Sequence, residues 1–250
     1  MNPTTTQRSL QIAQVKNLPV GKRTLDLVLC VLGFPFLCLF TLIMAALVRL
    51  TSPGPVFFKQ ERVGYKGTLF TCYKFRTMKA GADTRSHQAY LDMLLANSGA
   101  PMVKLDSKGD SRLIPLGWLL RATGLDELPQ IINVLAGEMS FVGPRPCLPY
   151  EYAKYQTWQR ERFDAVPGLT GLWQVSGKNR TTFDEMIRLD IRYAQTQRLF
   201  LDLRIIFFTP AALAMQIADT GLARRASAAT AKPVVILPHK ATVKQTSQAV

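Results

Sequence analysis

Acidic residues are scarce in this 250-residue chain: 17 Asp and Glu stand against 31 Lys and Arg, leaving a formal charge of +14 at pH 7. Histidine is scarcer still. Only His87 and His239 occur, neither within a motif, so chemistry built on histidine is not expected. The four cysteines show neither metal-ligand spacing nor a framework of pairs. Cys30 and Cys38 lie in an apolar run while Cys72 and Cys147 stand alone, which reads as four reduced thiols and no zinc site. No internal repeat occurs, and beyond Asp219 there is no acid at all. The cationic excess points to polyanionic partners: nucleic acid, the anionic leaflet of a membrane, or phosphorylated substrates. Charge alone does not choose among them.

What is present narrows the choice. At 48% hydrophobic residues the chain can build one good-sized domain with appendages. Charge is absent from Leu27 to Val48, 22 residues in a row, which at helical rise is about 33 Å and matches the hydrocarbon thickness of a bilayer. A secretory signal fits poorly, because the run is too long and follows a stretch containing Pro3 and Pro19. Basic residues flank it on both sides, with Arg8, Lys16, Lys22 and Arg23 before it and seven Lys or Arg against Glu61 between Arg49 and Lys79. The positive-inside rule then gives no orientation, and one solution keeps both ends in the cytoplasm. Pro35 removes a backbone bond within the run. A re-entrant helix broken at Pro35 meets both facts. A kinked spanning helix is the alternative, because membranes tolerate proline.

After Ser52-Pro53-Gly54-Pro55, the runs Val56 to Arg62 and Thr68 to Arg76 surround a Gly64-Tyr65-Lys66-Gly67 turn and predict a β-hairpin. Helices are predicted over Ala82 to Ala96, Leu113 to Arg121, Phe183 to Gln197 and Leu201 to Ala218, with helical spacing also in Tyr150 to Phe163. Asn97 to Arg112 reads as a polar loop, and Val166 to Gly171 as a break in regular structure. The helix at Leu201, interrupted by Pro210, reads as packed or lying in the interface. The expected division is an N-terminal segment 1–21, a membrane helix 22–50, a cytosolic domain 51–219 and a basic, disordered tail 220–250.

Chemistry concentrates in Leu125-Asp126-Glu127-Leu128-Pro129-Gln130, followed nineteen residues after Asp126 by Arg145 in Gly143-Pro144-Arg145-Pro146. Alone, two acids beside a proline read as a helix cap that opposes the positive end of the helix dipole. The surrounding cations offer another role. Lys59, Arg62, Lys74 and Arg76 on the hairpin, with Arg121 and Arg145, could bind a diphosphate or lipid phosphate, although a juxtamembrane patch on anionic headgroups explains the hairpin cations equally. Strand alternation would put Lys74 and Arg76 on one face. The prolines beside Arg145 reduce the entropy lost on fixing its guanidinium. A carboxylate so surrounded can attack a phosphoryl group if a metal and cations neutralise the anion it approaches. Two adjacent acids suit divided labour, one attacking and the other holding a hydrated metal or orienting the first.

Taken together, Lys22-Arg23-x-x-Asp26, Ser52-Pro53-Gly54-Pro55-Val56-Phe57-Phe58, Lys74-Phe75-Arg76-Thr77-Met78, Leu125 to Gln130, Val142-Gly143-Pro144-Arg145-Pro146 and Pro167-Gly168-Leu169-Thr170-Gly171 occur in an order that resembles the bacterial sugar transferases, the monotopic phosphoglycosyl transferases. The resemblance covers Lys22 to Thr209 and is to the minimal type, without the four-helix N-terminal region of larger members. It departs at Phe34 and Gly124, where members carry Ser, and at Lys178, where Arg is frequent. It implies a mainly α fold with a small β-hairpin, held on the inner leaflet of the bacterial cytoplasmic membrane by one re-entrant helix that Pro35 breaks. It also implies transfer of a sugar 1-phosphate from a UDP-sugar to polyprenyl phosphate, usually undecaprenyl phosphate, with release of UMP. This step begins exopolysaccharide, capsule, O-antigen or related glycan assembly. By position, Asp126 would be the nucleophile and Glu127 its partner, both near Mg²⁺, with Arg121 and Arg145 on phosphates. A non-catalytic membrane adaptor that binds nucleic acid or acidic proteins is the competing class. The cations cluster beside the membrane run and the acids instead of forming an aromatic-interleaved stripe, which argues against nucleic acid. No local motif selects the donor sugar or an oligomeric state.

Overall fold

The uncharged run forms one helix, α1 (Val20–Thr51), of 32 residues and about 48 Å. Its buried positions, Lys22, Asp26, Cys30, Leu37, Met44 and Val48, recur at steps of four or seven and share one face. Val28, Val31, Leu32, Leu39, Leu42 and Ile43 are exposed on the rest of its surface. The expected break at Pro35 is absent, and the helix continues through it. Pro35 itself is exposed. Residues before and after it pack on the same body: Ile131 Cδ1 lies 3.3 Å from where a Cβ on Gly33 would sit, and Phe40 meets Phe75 edge-on at 5.7 Å. Packing on either side holds a helix that has lost one backbone bond.

Both ends of α1 are tied to one domain. At the start, Lys22 Nζ donates to the Val142 carbonyl at 2.8 Å, Tyr193 Oη at 2.9 Å and Asp202 Oδ2 at 2.9 Å. These three acceptors satisfy the three donors of a buried ammonium. Arg23 donates to the Val134 and Leu135 carbonyls, and Asp26 Oδ1 accepts from Ser140 Oγ and the Phe141 amide. At the other end, Arg76 donates to the carbonyls of Ser52 and Pro53 at 2.7 and 2.6 Å. A helix crossing roughly 30 Å of hydrocarbon would put its ends on opposite sides. Attachment of both ends to one domain does not fit the spanning alternative.

This computed structural model describes residues 18–79, 85–96, 112–177 and 180–230. Positions 97–111 of the expected loop lie outside them, as do Lys178 and 231–250. Strands β1 (Phe57–Val63) and β2 (Leu69–Phe75) pair antiparallel from Phe57↔Phe75 to Val63↔Leu69. Helix α2 (Arg85–Ala96) follows, then α3 (Gly117–Thr123), α4 (Ile131–Ala136), β3 (Ser140–Val142), α5 (Pro149–Lys154) and α6 (Thr157–Arg160). Next come β4 (Gly168–Thr170), α7 (Leu172–Val175), α8 (Phe183–Thr196) and α9 (Leu199–Thr230).

Other segments also differ from expectation. Gly168–Thr170, expected to interrupt regular structure, pairs in parallel with Ser140–Val142. Strands of three residues are too short to show a period. Residues 220–230, assigned to a disordered tail, continue α9, because nothing between Leu213 and Thr230 breaks a helix more strongly than Gly221. This helix buries Asp202, Gln216 and Thr220 together with Ile205, while Leu203, Phe207, Phe208, Met215 and Leu222 are exposed. α1 and the 24-residue stretch Leu199–Leu222 are the two described helices long and apolar enough to cross a membrane.

Candidate active site

α3 ends at Gly124, whose φ of 74° is a left-handed position that glycine takes without strain. A 3₁₀ turn, Leu125–Gln130, then leads into α4. Asp126 and Glu127 lie in that turn, while the residue preceding α4 is Gln130, which makes no side-chain cap bond. For Glu127 the cap reading gives way to what its carboxylate faces.

Glu127 Oε1 accepts from Lys74 Nζ and from Arg145 Nη2, each at 2.8 Å, and Oε2 accepts from Arg145 Nη1 at 3.3 Å. The Arg145 contact is a two-pronged guanidinium–carboxylate pair. Burial pushes the Glu127 carboxyl up, but Arg145 and then Lys74 outweigh it and hold it well below the usual carboxylate range. Arg145 is raised by Glu127, and Asp126 adds to that shift, so both acids act on one guanidinium. Asp126 is 6% exposed.

The depressed Glu127 has a consequence for stability. A carboxyl that titrates lower folded than unfolded contributes stability above its unfolded pKa of about 4.3, and loses it as pH falls through the folded value. Glu127→Gln is expected to cost about 2 kcal/mol at pH 7 by leaving Lys74 and Arg145 without their anion. It should also flatten the fall of melting temperature below pH 4 or so. Parallel melting curves for the two proteins across that acid range would contradict the assignment.

Arg76, Arg62 and Lys59 make other contacts. Arg76 is no phosphate ligand: it is buried and spent on the Ser52 and Pro53 carbonyls, because it lies one residue past β2 where the chain turns back to the end of α1. Arg62 is likewise corrected. Its Nη1 donates to the Pro146 carbonyl at 3.1 Å and its Nη2 to Gln60, so it braces the Arg145 segment from beneath, and burial followed by Arg145 lowers its pKa. Lys59 stays exposed, with its ammonium 5.9 Å from the centre of the Tyr73 ring. Arg121 sits in the last turn of α3, five residues before Asp126, and its carbonyl accepts from Gln216 on α9. The fold joins Lys74, Glu127 and Arg145 directly, with Asp126 in the same turn as Glu127.

The loop bearing Arg145 is fixed by a crossing of glycines. The Gly143 amide donates to Thr170 and the Gly168 amide to Pro144, at 2.8 and 2.9 Å. A Cβ on Gly143 would lie 2.1 Å from the Val166 carbonyl, one on Gly168 2.1 Å from the Gly143 amide, and one on Gly171 2.3 Å from the Gly143 carbonyl. The two glycine motifs therefore exist to let two backbones touch. Sequence reasoning also missed Asn133, whose buried amide binds the Tyr73 amide, the Thr71 carbonyl and Glu138, locking the hairpin to α4. Its polar side chain within the apolar face of α4 was the available signal.

No set of three His, Cys, Asp or Glu able to hold a metal occurs among the described residues. Mg²⁺ commonly takes one or two carboxylates together with substrate phosphates. The adjacent acids fit an ion shared in that way, with Glu127 first giving up lone pairs now used by Lys74 and Arg145. An open cavity of about 450 Å³ lined by Trp158, Glu161, Arg188, Ile191, Arg192 and Gln195 contains none of these groups and is not the site.

Comparison with known proteins identifies the family. The chain is 39% identical over 192 residues to the galactosyl transferase CpsE of Streptococcus agalactiae serotype III, covering 76% of this chain and 41% of that one. It is 39% identical over 196 residues to the exopolysaccharide production protein ExoY of Rhizobium meliloti, covering 76% and 85%. It is 38% identical over 196 residues to the UDP-glucose:undecaprenyl-phosphate glucose-1-phosphate transferase of Caulobacter vibrioides, covering 75% and 67%. The chain thus spans less than half the length of the streptococcal relative and most of the Rhizobium one. The family model described as bacterial sugar transferase matches residues 17–216, a span that includes the acid pair, Lys74, the Arg145 loop and its glycine crossing, and the chain belongs to that family.

Proposed function

We propose that this chain is a phosphoglycosyl transferase that moves a sugar 1-phosphate from a UDP-sugar to polyprenyl phosphate through a covalent intermediate on Asp126. An Asp126 carboxylate oxygen attacks the donor phosphorus that carries the sugar, forming a P–O bond as the bond to the UMP oxygen breaks. UMP leaves with that electron pair. An oxygen of the polyprenyl phosphate then attacks the same phosphorus, the aspartyl P–O bond breaks, and the carboxylate is restored. The observation that carries the proposal is Glu127 holding Lys74 and Arg145 beside Asp126. An anionic nucleophile reaches an anionic diphosphate only where cations are already in place. Arg145 is 39% exposed, so it can turn from Glu127 to a phosphate. Bound by Asp126 and Glu127 with the donor phosphates, Mg²⁺ would supply further charge neutralisation. The Caulobacter relative's name gives the donor and acceptor classes, and ExoY's the setting of exopolysaccharide assembly.

The acceptor is a lipid, and the outward apolar surfaces of α1 and α9 suit a protein embedded in one leaflet. In this reading α1, continuous through Pro35, is embedded in the cytoplasmic leaflet of the bacterial inner membrane with both of its ends on the cytoplasmic face. Single-cysteine variants at Asn2 and Thr51 should label from the same side of sealed vesicles; labelling from opposite sides would overturn the topology. The chemistry is tested by mixing the protein with UDP-sugar and Mg²⁺ without acceptor. The expected result is one equivalent of UMP and a protein mass increased by one phosphosugar. Turnover through a direct transfer, with no adduct under any condition, would sink the covalent step.

A further inference from the structure

We propose that Arg162, seated on Asp190, is a positioning residue that fixes Arg145 for the donor diphosphate. The inference rests on the proposed function only in taking Arg145 as a phosphate-binding group. The four consecutive carbonyls of the Arg145 segment each accept one donor. Pro144 accepts from the Gly168 amide at 2.9 Å, Arg145 from Arg162 Nη2 at 3.0 Å, Pro146 from Arg62 Nη1 at 3.1 Å and Cys147 from the Val63 amide at 2.9 Å. Prolines on both sides of Arg145 restrict φ there. The backbone is therefore pinned, and the freedom that remains lies in the Arg145 side chain.

Arg162 is 2% exposed and cannot reach a substrate. Its Nη2 serves both Asp190 Oδ2 and the Arg145 carbonyl, and its Nη1 lies 3.3 Å from Tyr155 Oη. A planar fork can hold these directions together, whereas an ammonium cannot fix them. Burial pushes the Asp190 carboxyl up, against the pull of Arg162.

Stability alone accounts poorly for this arrangement. Burying two charges costs as much as their attraction returns unless every polar atom is satisfied. Arg162 Nε and Asp190 Oδ1 have no hydrogen-bond partner among the described residues. The feature that the pair does complete is the carbonyl on Arg145.

The test is a double-mutant cycle on the full chain in detergent, with UDP as the probe and calorimetric binding as the readout. Arg162→Lys is expected to weaken UDP about tenfold in the otherwise native protein, and by less than about twofold when Arg145 is already Ala. Equal losses in both backgrounds would show that Arg162 acts generally on the fold and would overturn the proposal. Asp190→Asn, which keeps volume and removes the charge, should repeat the pattern. If both variants fail to fold, the pair is structural and the proposal is likewise overturned. A native protein that does not bind UDP at all would remove the nucleotide reading itself, a result distinct from an additive cycle.

Discussion

Asp126→Asn is expected to abolish transfer, lowering UMP release by about 10⁴-fold or more, because an amide cannot become the acyl phosphate on which both half-reactions depend. Asparagine has nearly the same shape, so the buried turn around Asp126 should survive and the melting temperature should stay close to that of the native protein. Intact-protein mass spectrometry would then show no phosphosugar adduct. Glu127→Gln supplies the contrast. It leaves the nucleophile in place but releases Lys74 and Arg145 from their shared anion, so a slow adduct should still form on Asp126. An Asp126→Asn protein that turns over near the native rate would dismiss Asp126 as nucleophile, whatever its neighbours do.

The second large effect is structural. Gly143→Ala is expected to cost about 3 kcal/mol or more and to eliminate activity, because its Cβ would lie 2.1 Å from the Val166 carbonyl and 2.9 Å from the Gly168 amide. These are backbone atoms in a strand crossing, and neither can rotate away. Relief would require β3 and β4 to separate, breaking the Gly143–Thr170 and Gly168–Pro144 bonds and freeing the loop that carries Arg145. Gly124→Ala is a useful control. Its φ of 74° makes alanine strained by about 1 kcal/mol, but its nearest neighbour is Leu213 Cδ2 at 3.9 Å. Thermal unfolding of the two variants should therefore rank Gly143→Ala far below Gly124→Ala. Equal melting temperatures would mean that the crossing is looser than its distances imply.

Much of the site was legible as chemistry and little of it as geometry. The acid pair, Lys74 and Arg145 stood out by charge and by motif, and the hairpin by its glycine turn. Strand alternation placed Lys74 and Arg76 together, yet β2 stops at Phe75, so Arg76 belongs to the turn that grips the end of α1. Lys74 meets Glu127 across 53 residues of chain, and Arg162 meets Arg145 across 17. No local period reports such pairings. Lys22, Arg23 and Asp26 carried the family resemblance, but their work of fastening α1 to Val134, Ser140 and Asp202 emerges only with the partners in place.

By itself the sequence determined the apolar helix, the hairpin and the cationic character. Each rests on composition or on periods of two and 3.6 residues, which neighbours along the chain are enough to express. Tertiary structure alone decided which cations face Glu127, which are spent on backbone carbonyls, that α1 runs unbroken through Pro35, and that both its ends belong to one domain. Those outcomes depend on the burial of charge among distant partners. A guanidinium bonds whichever acceptors the fold brings within about 3 Å, and that choice is made by packing between segments far apart in sequence.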